Sequence, residues 1–66
     1  MPSTVIAAIS YQAGTQVLEI TFLSGAVYRY FRVPEEVYQA FKRARSKGKY
    51  FNRLIRERYE FTQVAP

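Results

Sequence analysis

Apolar and polar positions alternate along the first half of the chain and recur at helical spacing along the second, with the change near Pro34. Val5 to Tyr11 alternates weakly and carries β-branched residues. Gln16 to Leu23 alternates clearly, with Leu18, Ile20 and Phe22 on one side and Val17, Glu19 and Thr21 on the other. Ala26 to Arg32 is dense in aromatics, and all three segments predict strands. Gln12-Ala13-Gly14-Thr15 and Ser24-Gly25 supply the turns between them.

The second turn decides which way the tyrosines face. A two-residue turn at Ser24-Gly25 would force Ser24 to positive φ, whereas a three-residue loop, Leu23-Ser24-Gly25, asks this only of the glycine. That loop pairs Ile20 with Tyr28, Leu18 with Tyr30 and Glu19 with Arg29, setting opposite charges across from each other. A four-residue first loop then pairs Ile9 with Leu18, Ala7 with Ile20 and Val5 with Phe22. One face of the sheet would carry Val5, Ala7, Ile9, Leu18, Ile20, Phe22, Tyr28 and Tyr30, and such a face needs a cover.

Two helices provide it. Pro34 suits a first helical position, and Glu35 and Glu36 complement the positive end of the dipole. Val37, Ala40, Phe41 and Ala44 form one stripe; after the break at Ser46-Lys47-Gly48, Phe51, Leu54 and Ile55 form another, with Tyr50 beside it and Ser46 as N-cap. Asn52, within this second helix, suits a buried hydrogen-bond bridge or a polar contact at the surface, and the bridge is the expected role. Tyr59 to Val64 alternates again and predicts a short fourth strand. The fold class is α+β: a three-stranded antiparallel meander, two helices packed on one sheet face, and a short fourth strand, in the order β-β-β-α-α-β.

Length limits this to a single domain spanning 1–66, since 66 residues cannot fill two cores. With 48% hydrophobic and 17% aromatic residues the chain is too apolar for a disordered tail. It has no cysteine and no histidine, which removes disulfides, Cys/His zinc sites and His-dependent catalytic units. No cofactor or metal is called for. Met1 to Leu18 is uncharged but broken by polar residues and lacks a basic leader, so the expected location is cytoplasmic, with no membrane contact.

Charge is what gives the chain direction. Before Arg29 there is only Glu19; from Arg29 onward lie all ten basic residues and four glutamates, a net +6 on one side of a +5 domain. A basic half on an otherwise neutral domain is the footprint of a polyanion binder, and also of a plain solubilising face. Where the two apolar stripes point inward, Arg45, Lys49, Arg53 and Arg56 lie largely on outward surfaces. Lys47 and Lys49 flank a helix start whose free N–H groups suit an anion. The segment is no P-loop, lacking the upstream glycine and having Tyr50 after Lys49, and Lys47 to Leu54 misses the RRM pattern.

Tyr28-Arg29-Tyr30 resembles the aromatic–cation interleaving of base-stacking sheets, yet the register puts both tyrosines under the helices. Arg29 and Phe31 are left on the open face. There they suit base stacking or, with Ile6, Val17 and Val27, a dimer contact. The glutamates are explained by dipole and charge pairing, so the chain is not expected to be an enzyme.

The ordered series Gly25, Val27-Tyr28-Arg29-Tyr30, Val33-Pro34, Ser46-Lys47-Gly48-Lys49-Tyr50-Phe51-Asn52, Ile55-Arg56 and Tyr59 resembles the KTSC domain, over about Ser10 to Phe61. That family is named for an extension at the C-terminus of some lysyl-tRNA synthetases and also occurs as small stand-alone bacterial proteins. The resemblance implies an accessory domain, favours RNA as the polyanion, and brings no catalytic residues. The expected function is a small non-catalytic binding module for nucleic acid, RNA in particular. Its expected contacts are Arg29, Phe31, Arg45, Lys47, Lys49, Arg53 and Arg56. The alternative is a protein-interaction or homodimerisation module using the open sheet face or an edge strand.

Overall fold

The strands β1 (Ile6–Gln12), β2 (Val17–Phe22) and β3 (Val27–Tyr30) form an antiparallel meander, followed by α1 (Glu35–Arg43), α2 (Lys47–Leu54) and β4 (Phe61–Ala65). This computed structural model describes residues 5–66; Ser3 and Thr4, among the polar breaks in the uncharged stretch, lie outside the described residues. The sheet order is β1-β2-β3-β4, so the chain crosses both helices before returning antiparallel beside β3. The element order is the expected one. β3 is shorter than the aromatic run because Arg32 turns into the left-handed region at φ 59°, and β4 starts at Phe61 rather than Tyr59.

The second hairpin has the expected register, with Leu18 opposite Tyr30, Glu19 opposite Arg29 and Ile20 opposite Tyr28. Gly25 takes φ 98°, and its N–H donates to the Phe22 carbonyl at 2.9 Å. A side chain there would be strained, so the loop is built on the residue that can adopt it.

The first hairpin departs from expectation. Its four-residue turn is Ala13–Gln16, with Gln16 at φ 57°, so Ile9 faces Ile20 and Tyr11 faces Leu18. The shift is an even number of residues, which keeps Ile9 on the inner face. A register irregularity between Ile6 and Ala8 then swings Ile6 inward as well, leaving Val5 and Ala7 exposed. Ile6 therefore leaves the open-face patch assigned to it. The cause is tertiary. Tyr11 stacks on Tyr38 with centroids 4.8 Å apart and donates its hydroxyl to the Val33 carbonyl at 2.6 Å, while Val33 N–H donates to the Gln16 carbonyl at 3.0 Å. These contacts fix the turn against the start of α1.

The core consists of Leu18, Ile20, Tyr30, Val33, Phe41, Phe51 and Ile55. Pro34, with ψ 151°, is the N-cap of α1 and not its first residue; Glu35 and Glu36 occupy the first turn, and Lys42 and Arg43 the last, each complementing the dipole. Val37, Tyr38 and Phe41 face inward, whereas Ala40 is exposed, because the larger Tyr38 takes the contact with Tyr11. The Ser46 hydroxyl caps α2 as expected, accepting from Lys49 N–H at 3.3 Å. Phe51 and Ile55 define the buried line of α2, one turn apart. Leu54, on the flank of that line, is exposed, and so is Asn52, which lies at the surface and not in the interior expected of it. Among the described residues no helix is long and apolar enough to cross a membrane.

Candidate functional site

Arg45, Lys49, Arg53 and Arg56 are all exposed on α2 and its flanks, and Lys47 is half-buried at the first turn. No acidic residue occupies that first turn. Among the described residues the only ion pair is Arg29 with Glu19, at 2.9 Å across the second hairpin, so none of the α2 cations is neutralised by a carboxylate. Arg58 turns back to donate to the Arg53 carbonyl at 3.2 Å, where a cation also complements the helix C-terminus.

The expected contacts do not form one site. Arg29 and Phe31 alternate with Tyr28 and Tyr30 and so lie on the sheet face away from the helices, beside a shallow depression lined also by Gln12, Thr15 and Val17. Arg29 is held by Glu19 and Phe31 is half-buried. The basic cluster of α2 belongs to the opposite layer.

The helix layer also leaves a feature that sequence reasoning did not anticipate. A nine-residue and an eight-residue helix are each only about 12–14 Å long, too short to cover four strands. They pack over Leu18, Ile20 and Tyr30, whose side chains share one core with Phe41, Phe51 and Ile55. Beside this core a groove of about 800 Å³ opens, lined by Phe22, Tyr28, Tyr30, Phe51, Phe61 and Arg56, among others. Its aromatic rings form a closed circuit, Phe22–Tyr28–Phe61–Tyr30–Phe51 and back to Phe22, with successive centroids 5.3–5.6 Å apart. Phe61 is 52% exposed and Tyr28 half-buried, while Tyr30 forms the floor at 2%. Burial pushes the Tyr30 hydroxyl up to about 12; the neighbouring Tyr28 adds to this and the Arg56 guanidinium opposes it. The signal in the sequence was the aromatic at Phe61, which β4 brings opposite Tyr30.

The KTSC domain profile matches residues 2–59. The chain belongs to the KTSC domain family. A lysine–tRNA ligase of Nostoc punctiforme is 44% identical over 62 residues, 94% of this chain but 11% of the ligase, so the chain spans about a tenth of that relative. An uncharacterized protein of Stutzerimonas stutzeri is 39% identical over 65 residues, covering 97% of this chain and 92% of that one. The crystal structure of a KTSC domain protein from Yersinia pestis superposes with a TM-score of 0.90 at 32% identity, over 98% of this chain and 92% of the other. The KTSC domain thus stands both within ligases and as nearly the whole of a small protein. The β4 strand and the outer wall of the groove lie past the residues the profile matches.

Proposed function

We propose that this KTSC domain is a non-catalytic binding module that holds RNA on the basic surface of α2. The observation that carries the reading is the set of exposed cations, Arg45, Lys49, Arg53 and Arg56, with Lys47 at the helix start, none of them paired with a carboxylate. Unpaired cations on one layer are free to displace the counterions of a phosphate chain. The similarity to a segment of lysine–tRNA ligases supports RNA as the polyanion, because the name of that enzyme specifies an RNA substrate. Arg29 and Phe31 serve a second contact in this reading, reached only by a strand passing round the sheet edge.

The test is a titration with single-stranded RNA at several salt concentrations. Affinity is expected to fall with salt at a log–log slope of about −0.7 for each phosphate contacted. The combined variant Lys47→Ala, Lys49→Ala, Arg53→Ala should reduce the slope by about 0.7 per cation removed, with an unchanged circular dichroism spectrum. Unchanged affinity in this variant would remove α2 from the reading. A second reading, homodimerisation, is favoured by the outer edge of β4, where Phe61 and Val64 are exposed. Sedimentation at micromolar protein separates the two.

A further inference from the structure

We infer that the aromatic groove between β4 and the C-terminal turn of α2 is a base pocket, taking one nucleobase of a single strand against Phe61 and Tyr28 with the adjoining phosphate on Arg56. The inference rests on the nucleic-acid reading above but moves the base contact from the open sheet face, where Arg29 is held by Glu19, to the helix side.

Three observations favour this occupant. The volume, about 800 Å³, exceeds what one base needs and falls within the range of small-ligand pockets. The walls are aromatic faces and edges, and Phe61 is half exposed although it belongs to a ring circuit that is otherwise mostly covered. An exposed aromatic ring is the platform on which any base stacks. The polar groups are few and placed for a nucleotide: the Arg56 guanidinium for a phosphate, the tyrosine hydroxyls and the Glu57 carboxylate for base edges. An apolar peptide would satisfy the rings but would have no use for the arginine. A single-stranded nucleotide uses both, and Arg56 makes the groove continuous with the cations of α2.

The experiment uses the whole domain and an octauridylate carrying one 2-aminopurine, whose fluorescence is quenched on stacking. Binding should quench the fluorophore, and the ring resonances of Phe61 and Tyr28 should shift. Phe61→Ala should weaken binding about tenfold, with Phe61→Tyr restoring it. Arg56→Gln should leave the quench in place while lowering the salt slope by about 0.7. Both side chains are exposed, so thermal melting should stay close to the parent; Arg56→Gln retains every ring should Phe61→Ala unfold. Inorganic polyphosphate, which has no bases, should bind Phe61→Ala and the parent equally.

Salt-dependent binding of the octamer without quenching, with full affinity in Phe61→Ala, would overturn the pocket and leave the α2 surface standing. No binding even at low salt would overturn both. Shifts at Phe61 that grow with protein concentration in the absence of RNA would mean that a second copy covers the groove, and would also overturn the pocket.

Discussion

Arg32 holds φ 59° between two pinned neighbours. Phe31 N–H donates to the Glu60 carbonyl at 2.9 Å and Val33 N–H to the Gln16 carbonyl at 3.0 Å, so the strained residue is the corner that sends the chain from sheet to helix. Tyr30, two positions earlier, gives the molecule a measurable pH response. Its hydroxyl titrates near 10.0 when unfolded and at about 12 when folded, so the folded state keeps a proton the unfolded chain has lost. Its contribution is intact below pH 10 and lost as pH rises towards 12, with a slope of at most about 1.4 kcal/mol per pH unit. Urea unfolding across that window should show the decline, and Tyr30→Phe should flatten it. Tyr11 and Tyr50 are also raised, chiefly by burial, so some slope should remain.

Among the elements, α2 depends on its cap. With eight residues it is too short to persist alone, and its first turn has no acidic side chain, so the Ser46 hydroxyl is the local stabilisation of that end. Ser46→Ala should cost about 1 kcal/mol in chemical denaturation. If it costs nothing, the bond to Lys49 N–H contributes little in solution. That cap was legible in the sequence, as was the second hairpin, because each rests on a local rule: a serine before a helix, a glycine where φ must be positive, a charge pair across a loop. The first hairpin was misread for the opposite reason. Gly14 does lie in the turn, but the turn is displaced by one residue so that positive φ falls on Gln16, and the register is set by Tyr11 reaching Val33, 22 residues away. Ala40 and Tyr38 both fit a helical stripe, and only the position of Tyr11 chooses between them. The groove was hidden because exposure of Phe61 depends on helix length against sheet width, which no single segment contains.

On the scale of the molecule, the sheet separates an ion-paired face, with Glu19 and Arg29, from a helix layer whose cations have no carboxylate partner among the described residues. β2, between two partners and under the helices, should be the most protected element. β4 pairs only with β3, and four of its five residues are exposed. Native-state hydrogen exchange should therefore find β4 amides opening well before those of β2. Equal protection would mean that the sheet opens as one unit.

The position of β4 also sets a clock during synthesis. The β2–β3 hairpin can close in about 1–10 μs once it leaves the ribosome. The partner of the outer β3 edge, however, lies further along: Phe61, opposite Tyr30, comes 31 residues later. At about 5–20 residues per second that edge stays bare for about 2–6 s, many thousandfold longer than the hairpin needs to form. For those seconds the nascent chain offers the outer edge of β3, with Tyr28 and Tyr30, to any passing strand, and the pace of translation decides how long chaperones and neighbouring chains have to find it.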